Sequence, residues 1–190
     1  AGDVRILCEQ LEVTDPSWQD AVEGYLNSQR FYLLVSPEDF DLSASVYDRL
    51  RREKKAYGAG LINTGKLESY DEAPEGSLAG KVSSKNPYAR RYANMVLGRV
   101  HCCQKVEELR QYEISMTKSC MRYQNHVVSA IRPEIFKTPY IGAKAYEIQL
   151  KARKEELEKL QKELLEAKNR EKCLELAVNM LDTSCLLYTS

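Results

Sequence analysis

From Ala143 onward, apolar residues recur in the alternating three-and-four spacing of a heptad. Ala143, Leu150, Leu157, Leu164 and Val178 share one position of the repeat, and Tyr146, Leu160, Ala167, Leu174 and Leu181 share the other. Arg153 and Glu171 interrupt the two rows, and almost every residue between them is Lys, Glu, Gln or Arg. The pattern predicts a coiled-coil helix over 142–182, seamed by Leu150, Leu157, Leu160, Leu164, Leu174, Val178 and Leu181. A helix apolar along one narrow stripe needs a partner along that stripe. No second heptad run exists in the chain, so the partner is expected from another chain or from sequence upstream of Ala1. The abrupt opening at Val4 favours the upstream coil.

The residues before this helix repeat themselves. Asp15-Pro16-Ser17-Trp18 through Tyr25-Leu26-Asn27 and Asn86-Pro87-Tyr88-Ala89 through Val96-Leu97-Gly98 follow one plan, 71 positions apart. Each starts with an Asx-Pro helix opening, continues as a helical run carrying an aromatic, and ends on an aliphatic pair and a stop residue. Strands are expected at Val4–Cys8, Leu11–Val13, Phe31–Val35, Tyr57–Ile62, Arg99–Cys103 and Ile114–Thr117. Met121–Ile131 is expected to pair with the last of these across a turn near Lys118-Ser119. A helix should run from Ser36-Pro37 to about Lys55, its cations at the negative end of the dipole. The stretch 69–84, with Pro74, Gly76 and Gly80, reads as a connection. The expected architecture is an α/β (α+β) domain of two similar halves, about 4–68 and 82–141 within 1–141, followed by the coiled-coil helix.

Composition excludes more than it assigns. Lys plus Arg and Asp plus Glu each number 28 in 190 residues, which removes bulk charge as an argument for nucleic-acid binding. No apolar run approaches the ~18 residues that a membrane span needs. The cysteines at 8, 102, 103, 120, 173 and 185 form no Cys-x-x-Cys, and with two histidines, His101 and His126, they offer no compact metal-ligand set. Reduced, mostly buried thiols are the expectation. No nucleophile stands beside a base: His101 and Cys102 are strand neighbours that point apart, and Cys120 lies about six strand residues from His126. No catalytic residue is assigned. Gly60-Leu61-Ile62-Asn63-Thr64-Gly65-Lys66-Leu67 matches a phosphate-cradling loop until its last residue, where Leu67 replaces the Mg²⁺-binding hydroxyl. It therefore reads as a strand end and turn. The basic clusters, Arg49, Arg51, Arg52, Lys54 and Lys55 and then Arg90-Arg91, are candidate phosphate contacts along DNA.

The Trp18–Leu26 phrase, the paired halves, Val96-Leu97-Gly98-Arg99-Val100, Ile114-Ser115-Met116-Thr117, Pro139-Tyr140-Ile141-Gly142 and the exit into a coil together resemble the hinge of SMC-type ATPases. The wording of Thr14–Leu26, Gly60–Leu67 and Pro139–Gly142 is similar to the MukB-like and Wadjet (JetC-like) bacterial branch. The resemblance covers about residues 4–182 and implies a non-catalytic hinge that joins two chains at the far end of an antiparallel coil. ATP and Mg²⁺ would belong to heads elsewhere in the parent, so no cofactor is expected here. DNA is an implied partner, a membrane is not, and the implied location is the nucleoid in the cytoplasm. Gly58 and Gly60 are the expected dimer contact. The closing residues 183–190, which drop both heptad and charge pattern and resemble translated sequencing adapter, carry no inference.

Overall fold

The computed structural model describes residues 4–188, with side chains described as far as residue 181. The side chains of the tail 183–190 therefore lie outside the described residues. The chain forms two units, Ala1–Glu147 and Ile148–Ser190.

The first unit consists of two halves that share a core. In the first half, β1 (Arg5–Ile6) leads through a 3-10 turn, Leu7–Gln10, to β2 (Glu12–Val13), α1 (Gln19–Leu26), β3 (Leu33–Val35), α2 (Phe40–Lys54) and β4 (Leu61–Asn63). The second half opens with a 3-10 turn at Leu78–Lys81. It continues as β5 (Val82–Ser83), α3 (Pro87–Leu97), β6 (His101–Cys103), a 3-10 stretch at Val106–Gln111, then β7 (Ser115–Thr117), β8 (Met121–Gln124), β9 (Val127–Ala130) and α4 (Pro133–Phe136). In each half the strand after the helix pairs in parallel with the next one, β3 with β4 and β6 with β7. The sheets run β1-β3-β4 and β6-β7-β8-β9, so β4 and β9 end their sheets unpaired on one side.

The 71-residue spacing sets the packing. Leu7 and Leu78, Leu11 and Val82, Trp18 and Ala89, Val22 and Ala93, and Leu26 and Leu97 are equivalent positions, and every one is buried. Burying each large aliphatic side chain is worth about 1.5–3 kcal/mol. Trp18 opposite the small Ala89 is where the two halves differ most in volume. A matching bond recurs in the backbone, its acceptors 68 rather than 71 positions apart: Leu7 N–H donates to the Tyr32 carbonyl at 2.9 Å and Leu78 N–H to the Val100 carbonyl at 2.8 Å. Between the halves, β2 and β5 cross antiparallel with Glu12 facing Ser83. These two residues are themselves 71 apart, so the local two-fold relation passes through this pair.

Both helix starts use the chemistry that the sequence announces. The Asn86 side chain accepts the amides of Tyr88 and Ala89 at 3.0 and 3.3 Å, with Pro87 first in the helix. Asp15 accepts Ser17 N–H at 3.1 Å, but its helix opens with one 3-10 turn, Pro16–Trp18. Asn27, at φ 47°, ends α1.

Several expected boundaries move. The stretch 69–84 is more than a connection, because the second half begins inside it at Leu78; Gly80 and Lys81 hid the match to Glu9 and Gln10. Phe31 and residues 57–60 lie outside the strands. Leu7 and Cys8 leave the first strand for the 3-10 turn. Residues 121–131 are two strands, joined at Asn125 and His126, which both have positive φ, 53° and 63°. That pair of left-handed residues is a primed hairpin turn without its usual glycine, and so gives a weak signal.

In the second unit, α5 (Ala143–Tyr188) continues from its first turn as one uninterrupted helix. Leu150, Leu157, Leu160, Leu164, Leu174, Val178 and Leu181 all stand exposed on it. Among the described residues, no helix is long and apolar enough to cross a membrane.

Cys8, Cys103 and Cys120 are buried, Cys102 half-buried and Cys173 exposed, while Cys185 lies among the side chains outside the described residues. Burial pushes the thiols of Cys8, Cys102 and Cys120 up to about 11 from 9.0. A thiol that ionises later in the fold than in the unfolded chain favours the fold fully below pH 9 and loses that contribution as pH rises through about 11. The urea midpoint should therefore fall between pH 9 and 11, and iodoacetamide at pH 8 should alkylate Cys173 well before Cys8 or Cys120. An alkaline limb without slope, or equal labelling by peptide mass spectrometry, would contradict this placement.

Candidate functional site

The site begins where the two halves hand the chain to the long helix. Glu23 on α1 is fully buried, which is unfavourable for a carboxylate unless its oxygens are matched. They are matched closely. Oε1 accepts the amides of Tyr140 and Ile141 at 2.6 and 2.7 Å and the Gln19 side-chain amide at 3.1 Å. Oε2 pairs with Arg30 at 2.8 Å, itself buried at 6% exposure. The Arg30 guanidinium lies over the rings of Phe31 and Tyr140, 4.9 and 4.7 Å from their centroids, and those rings meet edge to face at 4.8 Å. Gln19 adds a bond to the Ile141 carbonyl at 3.1 Å.

One turn later, Glu12 on β2 takes over. Its carboxylate accepts Ala143 N–H, the first amide of α5, at 2.9 Å. An anionic oxygen on an otherwise unsatisfied N-terminal amide suits the positive end of the helix. Gly142 makes this possible: its φ is +98°, and a Cβ there would come within 2.8 Å of the Glu12 carboxylate. Two carboxylates, one at the two-fold crossing and one inside the core, thus hold the root of the helix.

The same device occurs in the other half in neutral form. Asn94 is the equivalent of Glu23, and its amide donates to the Tyr70 carbonyl at 2.8 Å. Tyr70, like Ile141, lies where the chain leaves its half. The chain leaving each half is therefore held by the helix of the other half, and the halves interlock.

The outer face differs. Helix α2 has no buried residue; Leu42, Val46 and Leu50, one stripe at a spacing of four, are 67%, 37% and 37% exposed, and Tyr57 beyond it is 71% exposed. Strand β4, whose residues are buried or half-buried, is in contact with α2. At the other sheet's end, β9 exposes Val127 and Val128. Gly60 sits under the Tyr32 ring, which a Cβ would meet at 2.6 Å, while Gly58 at φ +86° has open space around it. The two candidate glycines thus flank the β4 edge, one packed and one open.

The candidate arginines separate. Arg51 and Arg52 both pair with Asp48 at 2.7 Å, and Arg49 is exposed with no ion pair among the described residues. Arg91 pairs with Asp71 at 2.6 Å. Arg90 is turned inward, donating to the carbonyls of Ala79 and Val82, and burial lowers its pKa. The two adjacent arginines therefore serve the fold on different sides of α3, which their adjacency in sequence did not reveal. Gly60–Leu67 is β4 followed by a 3-10 turn, Thr64–Lys66, capped by Asn63 through Gly65 N–H, with Thr64 bonded to the Val35 carbonyl at 2.6 Å and Leu67 buried. No helix N-terminus follows for a phosphate. Among the described residues, no group of three or more His, Cys, Asp or Glu is placed to hold a metal.

Sequence reasoning missed Glu12, Glu23 and Arg30. The available signal was an acid inside the apolar stripe of α1, between Val22 and Leu26.

Removing the Glu23 charge should leave Arg30 buried and unmatched. Glu23→Gln is expected to lower stability by about 3–5 kcal/mol, and adding Arg30→Met should recover part of it. Urea unfolding of the single and double variants measures this. A single variant within ~0.5 kcal/mol of the parent would show that the pair does not hold the helix root.

No known protein-family model and no curated protein matches the chain. Solved structures do. The Pyrococcus furiosus SMC protein hinge domain is similar at 16% identity and a TM-score of 0.53, over 68% of this chain and 72% of that one. The Pyrococcus furiosus Smc hinge domain with an extended coiled coil matches at 18% identity and a TM-score of 0.55, over 93% and 66%. A structure of the folded elbow of cohesin matches at 15% identity and 0.53, over 82% and 24%. The fold is that of an SMC hinge domain with the start of its coiled coil.

Proposed function

We propose that this chain is the hinge of an SMC-like protein, a dimerisation module that performs no chemistry itself. The observation that carries the reading is the pairing of an anchored helix root with an uncovered outer face. Helix α2 in one half and β9 in the other present apolar side chains, and β4 and β9 each leave one strand edge unpaired, with no cover among the described residues. An open edge beside exposed apolar residues is a template for another chain. A second copy related by a two-fold axis would bring each exposed element to a self-complementary contact that closes at two copies. Both proposed dimer-contact glycines precede β4: Gly58 has open space around it and would permit close backbone approach, while Gly60 is packed under Tyr32.

The rest of the reading concerns the parent. The exposed seam of α5 calls for a partner helix, with α5 as the returning strand of an antiparallel coil whose outgoing strand is an earlier part of the parent, and ATP with Mg²⁺ would act in heads at the far end of that coil. The parent would organise DNA, in chromosome segregation or in defence against plasmids, as a nucleoid-associated protein of the MukB-like or Wadjet branch. In the alternative reading the module touches DNA directly, with Arg49 the best placed of the five candidate arginines, because its charge is unpaired and exposed among the described residues.

Light scattering across a concentration series tests the dimer. The chain should form a dimer that survives deletion of 143–190, and Val46→Asp with Val128→Asp should weaken it roughly tenfold or more, equivalent to at least ~1.4 kcal/mol, with unchanged circular dichroism. A mass that stays monomeric throughout, or a dimer lost with the helix alone, would refute the reading.

A further inference from the structure

A cleft of about 550 Å³ opens between the halves, where the C-terminal ends of α1 and α3 meet β8. The equivalent positions Tyr25 and Val96 both line it, together with Gln29, Arg99, Arg122 and Gln124. Its polar lining is one-sided. Both arginines bring permanent positive charge, the glutamines and the tyrosine bring donors, and no Asp or Glu is among the lining residues. Neither guanidinium has an ion pair among the described residues. Arg122 reaches Ser129 Oγ with Nη2 at 3.5 Å, while its Nε is buried with no hydrogen-bond partner among the described residues.

Both arginines line the same cleft as Tyr25 and act electrostatically on its phenol. Burial raises the Tyr25 phenol, more than the two guanidiniums lower it, so it remains a donor at neutral pH. Two arginines and a tyrosine lining one cleft, with no carboxylate among the lining residues, match an oxyanion with several acceptor atoms. The volume lies within the range of small-ligand pockets and exceeds what a bare ion fills. We infer that this cleft binds the phosphate group of a phosphate ester, held between Arg99 and Arg122 with Tyr25 as a further donor.

This goes beyond the dimer reading and does not depend on it, since the solution mass reports the dimer and ligand titration reports the cleft. It also differs from the basic clusters at 49–55 and 90–91, because neither arginine belongs to them.

The test is isothermal titration of the 190-residue chain with inorganic phosphate, adenosine 5′-monophosphate and a short oligothymidylate, at constant ionic strength set with chloride. Saturable binding that weakens at least tenfold in both Arg99→Gln and Arg122→Gln is expected. Arg99→Lys, which keeps the charge and loses the fork, should fall between. Binding of the mononucleotide with these dependences identifies a free phosphate ester as the source. Binding of the oligothymidylate alone, with the same dependences, identifies a nucleic-acid backbone. If no probe binds, or binding is unchanged in variants whose circular dichroism and melting match the parent, the inference is wrong. A glutamine variant that fails to fold leaves Arg99→Lys and Tyr25→Phe to decide: unchanged affinity in both refutes the site.

Discussion

Neither half of this domain can form a core alone. Its strands are two to four residues long, and such pieces bury too little apolar surface to offset the entropy of ordering the chain. The halves solve this by sharing a core at their two-fold relation. Equivalent residues such as Leu7 with Leu78 and Leu26 with Leu97 fill one interior, and β2 crosses β5 through the equivalent pair Glu12 and Ser83. The interlock follows from the same need. Glu23 holds the exit of the second half and Asn94 the exit of the first, so separating the halves would break both.

The difference between Glu23 and Asn94 shows where function departs from symmetry. The first half's exit, at Tyr70, merely turns into the next half, and a neutral amide suffices. The second half's exit becomes a helix that extends as a separate unit. There the device carries a buried ion pair with Arg30, two ring contacts and a further carboxylate, Glu12, on the first helical amide. A helix root held this way resists fraying, through charge-assisted bonds in a low-dielectric interior at Glu23 and an anionic oxygen on the exposed helix end at Glu12.

The interior and the exterior therefore have different roles. The core and the helix root bury their charges as a pair, with Arg30 Nε and Asn94 Oδ1 left without a hydrogen-bond partner among the described residues, whereas α2 and β9 leave apolar side chains facing outward and β4 ends its sheet unpaired on one side. In an SMC hinge fold, the uncovered side is the one proposed to meet the second copy, and the anchored side is the one that holds the arm.

Much of this was legible in the sequence. Heptad spacing from Ala143 to Leu181 and the 71-residue echo are local or periodic patterns, and they gave the long helix, the two halves and the resemblance to an SMC hinge. The Asx-Pro openings gave both helix starts, because capping is local chemistry. Turns governed by left-handed residues without glycine, at Asn125 and His126, were not legible. Nor were the roles of charged residues. Arg90 and Arg91 looked like a basic patch, yet one bonds backbone carbonyls and the other an aspartate, because adjacent helical side chains diverge by about 100°. Glu23 carried no assigned role. Its partners Tyr140 and Ile141 lie 117 and 118 residues away, and only folding brings them within reach. The sequence by itself determined periodicity, symmetry and caps, which depend on near neighbours. Tertiary structure alone decided which charges are buried, what they hold and which faces stay open, because those depend on contacts between residues far apart in the chain.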